Sequence, residues 1–103
     1  MRTITKQNIF EELQTAKPVL LEFWAPWCVY CRRLGPVLES LENDYGDRIS
    51  VCKVNVDEQP EIAYRYHIEN LPSLLLFRDG EPKKLLVAPQ SKPEIDEWLK
   101  ESL

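Results

Sequence analysis

The sequence is poor in cysteine, with three among 103 residues, and it holds a single histidine. So few cysteines exclude a disulfide-rich secreted scaffold. Basic residues are not in excess: thirteen Lys and Arg face seventeen Asp and Glu, for a formal charge of −4. That balance gives no support to a nucleic-acid or anionic-membrane partner. The longest apolar runs, around residues 19–21 and 74–77, are far too short to span a bilayer. The opening Met1-Arg2-Thr3-Ile4-Thr5-Lys6 lacks an apolar leader segment, so the expectation is a cytoplasmic protein. Repeats, low-complexity tracts and Ser/Gly linkers are missing too. A G-x-G-x-x-G fingerprint is likewise absent, and the chain has no room for a flavin or nicotinamide domain.

What is present suits one domain over residues 1–103, with an apolar share of 44% and 29% charged residues. A helical pattern covers residues 6–15, with Thr5 as cap and Ile9, Phe10 and Leu13 on one face, until Pro18 stops it. Val19-Leu20-Leu21-Glu22-Phe23-Trp24 is apolar on both alternating faces except at Glu22, as in a strand covered on both sides. Ala25-Pro26-Trp27 then turns into a long helix starting near Cys28. Leu34, Val37, Leu38, Leu41 and Tyr45 form its stripe, Pro36 kinks it, and Gly46 ends it. Strands are predicted over residues 49–56, 73–78 and 84–88, with a short helix from Pro60 and a turn at Asp79-Gly80. Ser91-Lys92-Pro93-Glu94 reads as a capping box before a last helix with Ile95, Trp98 and Leu99 inward. With a first strand at residues 2–4, the order is β-α-β-α-β-α-β-β-α. The fold class is therefore α/β, a mixed sheet flanked by helices on both faces.

Cys28-Val29-Tyr30-Cys31 sits where the buried strand runs into the long helix. A cysteine exposed at a helix N-terminus sees unpaired N–H groups and the positive end of the macrodipole, which stabilise a thiolate. The helix brings Cys31 onto nearly the same face, close enough to close a small disulfide ring. Such a pair can attack a substrate disulfide through Cys28 and resolve the mixed disulfide through Cys31. The competing reading is half a zinc site, which needs four soft ligands. Only Cys52 and His67 remain, neither with partner spacing, so no metal is expected.

Phe23-Trp24-Ala25-Pro26-Trp27-Cys28 with Cys31, together with Pro36, Asp57, Pro60, Leu71-Pro72-Ser73-Leu74 and Gly80, resembles the thioredoxin family over almost the whole chain. The resemblance implies the thioredoxin fold, with Cys28 as nucleophile and Cys31 as resolving thiol. It implies a cis Pro72 opposite the cysteines, whose neighbouring backbone presents itself to an extended substrate. Trp27, Tyr30, Leu71, Pro72 and Ala88 are then the substrate-binding candidates. Glu22 stands where the family usually has Asp as proton acceptor for the resolving thiol. A carboxyl there is expected to be desolvated, with a raised pKa. Lys53 is its candidate partner, and a purely structural ion pair is the other reading. Tyr64, Tyr66 and Trp98 are read as packing residues.

The sequence also departs from the family. Val29-Tyr30 replaces Gly-Pro between the cysteines, leaving the reduction potential open between reducing and glutaredoxin-like values. His67 and Asn70 stand where glycine is usual before the cis-proline, and Ala88-Pro89 replaces a Gly-Ala step. These changes fall on or near the docking surface and are expected to alter partner choice. Cys52, in a strand, is most simply a buried small hydrophobe.

The expected function is a thiol–disulfide oxidoreductase acting on protein disulfides without a cofactor of its own. It is expected to act as a monomer, with electrons supplied by a separate disulfide reductase. Two rivals are a thiol oxidase or isomerase in an oxidising compartment, which the missing leader opposes, and a non-catalytic peptide platform near Pro72, which the paired cysteines oppose.

Overall fold

The structure is a computed structural model describing residues 1–103. Its elements are β1 (Arg2–Thr3), α1 (Ile9–Leu13), β2 (Val19–Trp24), α2 (Val29–Tyr45), β3 (Ser50–Asn55), α3 (Pro60–Arg65), β4 (Ser73–Arg78), β5 (Glu81–Val87) and α4 (Lys92–Ser102). A short 3₁₀ turn, Gly46–Arg48, joins α2 to β3. The sheet runs β1-β3-β2-β4-β5. β1, β3 and β2 are parallel, whereas β4 is antiparallel to β2 and β5 to β4. This is the thioredoxin α/β fold.

β2 lies at the centre, and its alternating side chains feed two cores. Val19, Leu21 and Phe23 face α1 and α3, joining Ile9, Leu13, Ile62 and Phe77. Leu20 faces α2 and α4, joining Leu34, Leu38, Leu41, Ile95 and Leu99. Leu38, Leu41 and Leu99 are fully buried, and burying one such side chain contributes about 2 kcal/mol. α2 keeps its buried stripe of Cys31, Leu34, Leu38 and Leu41 across Pro36. It ends at Gly46, whose φ of 55° favours a residue without a side chain. The helix Pro36 interrupts therefore still delivers one continuous apolar face to the sheet.

Several local expectations are corrected. α1 covers only Ile9–Leu13 rather than residues 6–15. Asn8 ties down the preceding segment, accepting from the Thr5 N–H through Oδ1 (2.8 Å) and donating through Nδ2 to the Thr3 carbonyl (3.0 Å). Residues 6–8 still turn, with the Asn8 and Ile9 N–H groups donating to the Thr5 carbonyl (3.2 and 2.9 Å), but they fall short of regular helix, and the Thr5 side chain does not cap it. A helix this short turns only Ile9 and Leu13 inward, and Phe10 is left 74% exposed. Tyr64, read as a packing residue, is 85% exposed on the outer side of α3. Tyr66 does pack, edge-on to Phe23 and Phe77.

β5 begins at Glu81 rather than at residue 84. Its N-terminal half has no apolar alternation, but β4 supplies a pairing partner, and Pro82 is tolerated because β5 is an edge strand. The Asp79-Gly80 turn has φ of 57° and 80°, the positive pair that a two-residue hairpin needs. The capping box is also altered. Ser91 Oγ accepts from the Glu94 N–H (3.3 Å), while Glu94 Oε1 accepts from the Gln90 N–H (2.8 Å) rather than from that of Ser91.

Candidate active site

β2 enters the site as a fully paired central strand, and Ala25-Pro26-Trp27 turns the chain upward into α2. The Cys28 N–H donates to the Ala25 carbonyl (3.1 Å), closing the turn. Cys28 is the N-cap of α2, with extended backbone, and its Sγ accepts from the Cys31 N–H at 3.2 Å. A cap position is where helix N–H groups lack intrahelical acceptors, so the sulfur occupies the place a serine oxygen would take. Cys28 and Cys31 form a disulfide with their Cα atoms 5.2 Å apart. In this oxidised state Cys28 is not the exposed thiol the sequence suggested. It is 7% exposed and Cys31 3%, because both residues pack with Ala25 against Trp24, Val56 and Leu71.

The Leu71-Pro72 peptide is cis and lies against this cluster through Leu71. The segment is anchored on both sides. Ser73 Oγ donates to the Asn70 carbonyl (2.6 Å), and the Ala88 N–H donates to the Pro72 carbonyl (2.8 Å). Ala88 makes that bond with φ of 48°, and His67, upstream of Pro72, has φ of 56°. Both are left-handed conformations that cost a residue with a Cβ about 1 kcal/mol or more. Glycine would adopt either freely, which gives physical content to the family's preference for glycine in this region. His67 itself is exposed.

Glu22 is 3% exposed at the middle of β2, paired in register with Lys53 and Leu74. Burial pushes its carboxyl up to about 7, with the Lys53 ammonium pulling the other way. Oε2 has no hydrogen-bond partner, and the same is true of the buried Trp24 Nε1. A cavity of about 130 Å³ connects these groups, lined by Glu22, Trp24, Cys31, Arg32, Gly35, Lys53 and Met1. Glu22 and Cys31 thus share one small chamber on the α2 side of the sheet. Lys53 does not close an ion pair with Glu22: its Nζ lies 5.3 Å from the centroid of the Trp24 ring. The two side chains leave their strands side by side, and the ammonium turns onto the indole face instead.

The aromatic candidates occupy the rim. Trp27 is 68% exposed, with its Nε1 donating to Asp57 Oδ1 at 3.2 Å. It borders a cavity of about 350 Å³ with Val56, Ala63, Ile68, Asn70 and Leu71. Tyr30 is 60% exposed, and its ring stacks under the Arg33 guanidinium, 5.6 Å from centroid to Cζ, rather than folding back over the cysteines. In the sequence Asp57 stood out only as a family-like residue, and Arg33 not at all. The i, i+3 spacing of Tyr30 and Arg33 was the available signal for the second. Cys52 is fully buried in the α1/α3 core, and burial pushes its thiol up.

Comparison with known proteins agrees with this geometry. The thioredoxin family model matches residues 1–101. The chain belongs to the thioredoxin family. It is 41% identical to the thioredoxin of Alicyclobacillus acidocaldarius subsp. acidocaldarius over 101 residues, covering 98% of this chain and 96% of that one. It is 38% identical to the thioredoxin of Rickettsia bellii over 101 residues, covering 97% and 96%. A chloroplastic M-type thioredoxin of Triticum aestivum is 48% identical over 75 residues, 73% of this chain and 43% of the relative. With its cysteine pair closed at the start of α2, this member of the family is a protein thiol–disulfide oxidoreductase. None of its helices is long and apolar enough to cross a membrane.

Proposed function

We propose that this protein works as a single-domain, monomeric cytoplasmic reductase of protein disulfides, recharged by a separate disulfide reductase. The observation that carries the reading is the Cys28–Cys31 pair capping α2 against the Leu71-Pro72 segment.

In the reduced protein the Cys28 thiolate attacks one sulfur of the substrate disulfide. That S–S bond breaks, a Cys28–substrate disulfide forms, and the departing substrate sulfur takes up a proton. Helix N–H groups at the cap favour the attacking anion. Cys31 then gives its proton to Glu22 and attacks Cys28 Sγ. The second substrate thiol leaves, and the internal disulfide is restored. A carboxyl titrating near 7 is well matched to accepting and returning that proton at neutral pH. Lys53 serves as a nearby positive charge that keeps Glu22 from rising further. Trp27, Tyr30, Pro72 and Ala88 border the bound substrate, with Leu71, next to the cis-proline, offering its backbone to an extended segment.

The test is Cys31→Ser. This variant retains the first attack and loses the second, so incubation with a disulfide-bonded protein is expected to accumulate a covalent complex, visible on a non-reducing gel and released by dithiothreitol. Normal turnover by the variant would overturn the two-thiol scheme.

A further inference from the structure

Arg33 follows Cys31 by two residues on α2, whereas Arg32 and Lys53 are the cations that line the chamber of Cys31 and Glu22. The ion pairs of the molecule involve Met1, Arg2, Lys6 and Lys92 as cations, and neither Arg32 nor Arg33 takes part in one. The first turn of α2 contains no acidic residue. Arg33 is exposed, and its guanidinium lies over the Tyr30 ring, a contact worth about 0.5–1 kcal/mol at an exposed site that favours this rotamer. Together the two side chains border a small cavity of about 100 Å³, closed by Leu34, Val37, Pro89 and Gln90. Pro89 follows Ala88, whose N–H holds the Pro72 carbonyl, so this cavity abuts the segment proposed to receive substrate.

The rim on Trp27's side has the opposite character. Asp57 accepts from the Trp27 indole, and Glu69 lines the larger cavity there. A chain with a net charge of −4 therefore places an unpaired, stacked guanidinium on one flank of its disulfide and carboxylates on the other.

We propose that Arg33, stacked on Tyr30, is a specificity-determining residue that selects protein disulfides with a carboxylate side chain on one flank. A guanidinium that favours one rotamer over an aromatic ring loses somewhat less freedom when it binds a carboxylate. The planar fork donates two parallel N–H groups to Asp or Glu. Asp57 and Glu69 disfavour the same carboxylate on the other flank, which gives the preference a direction. The inference rests on the reductase reading above.

The experiment uses the reduced full-length protein and three synthetic disulfide peptides, differing only in neutral residues, aspartates before the disulfide, or aspartates after it. Single-turnover rates are followed at low ionic strength and in 0.5 M salt (on the order of a 4 Å screening length). One acidic placement is expected to react about threefold faster than the neutral peptide, the size of an exposed ion pair, and the other no faster. Salt is expected to erase the advantage. Arg33→Met is expected to abolish the acidic-to-neutral ratio, Arg33→Lys to keep part of it, and Arg78→Met, at the far end of β4, to leave it intact. Equal rates for all three peptides, or a ratio that survives Arg33→Met, would overturn the proposal while leaving the reductase reading standing. Failure to reduce any of the peptides would remove both.

Discussion

Glu22→Gln probes the most unusual charge in the molecule. The carboxyl is 3% exposed, with one oxygen unpaired, and its pKa rises from 4.5 to about 7, chiefly through burial. Between those two values the folded protein holds a proton that the unfolded chain has already released. Stability from this group is therefore fully present below pH 4.5 and is lost as pH rises through about 7. At about 1.4 kcal/mol per pH unit, the loss comes to roughly 3 kcal/mol. Glutamine has the shape of protonated glutamate and does not titrate. In the oxidised protein, the variant and the parent are expected to differ in stability by a constant amount below pH 4.5. The variant is expected to gain about 3 kcal/mol on the parent by pH 8. Any cost of burying the amide N–H groups acts at all pH values and so drops out of that change. Urea unfolding at intervals from pH 4 to 8.5 reads it directly as a relative shift in midpoint of roughly 1–3 M. A difference that stays flat across this range would show that Glu22 titrates in the folded state where it does in the unfolded chain. Both the burial argument and its assignment as a proton acceptor tuned to neutral pH would then fail.

Ala88→Gly is expected to stabilise the protein by about 0.5–1 kcal/mol, because relief of the φ of 48° outweighs the added freedom of the unfolded chain; thermal unfolding checks it, and a lower midpoint would refute the strain argument. Gly80→Ala is expected to destabilise by about 1 kcal/mol or more, since φ is 80° and the new Cβ would meet the Gln14 side chain; unchanged denaturant stability would count against it. In the reduced protein, iodoacetamide at mildly acidic pH is expected to label Cys28 before Cys31 and Cys52, as mass spectrometry of digested fragments would show; equal labelling of all three would defeat the role given to the helix cap. Replacing Val29-Tyr30 by Gly-Pro together with Ala88→Gly is expected to improve recharging by a generic NADPH-dependent thioredoxin reductase. Efficient recharging of the unmodified chain would show that these substitutions do not affect partner choice.

Much of the fold is legible in the order of residues. The boundaries of β2 and β4 follow from short apolar runs bounded by Pro18, Ala25-Pro26, Pro72 and Asp79-Gly80, where local chemistry and burial agree. The end of α2 at Gly46 and the positive-φ turn at Asp79-Gly80 are likewise local matters of backbone sterics. The Cys-x-x-Cys spacing at a strand-to-helix junction pointed to the disulfide, and a lone carboxyl in an apolar strand pointed to a raised pKa. Tertiary structure decided what depends on a partner distant in sequence. β5 starts at Glu81 because β4 supplies its ladder. Lys53 lies beside Glu22 in register, but only the position of the Trp24 ring sends its ammonium away from the carboxyl. Cys28 has the sequence position of an exposed cap, yet packing against Val56 and Leu71 leaves the residue almost covered. Periodicity and turn chemistry are properties of neighbours along the chain. The chamber that joins Glu22 to Cys31 exists only once β2, β3 and α2 have closed around it.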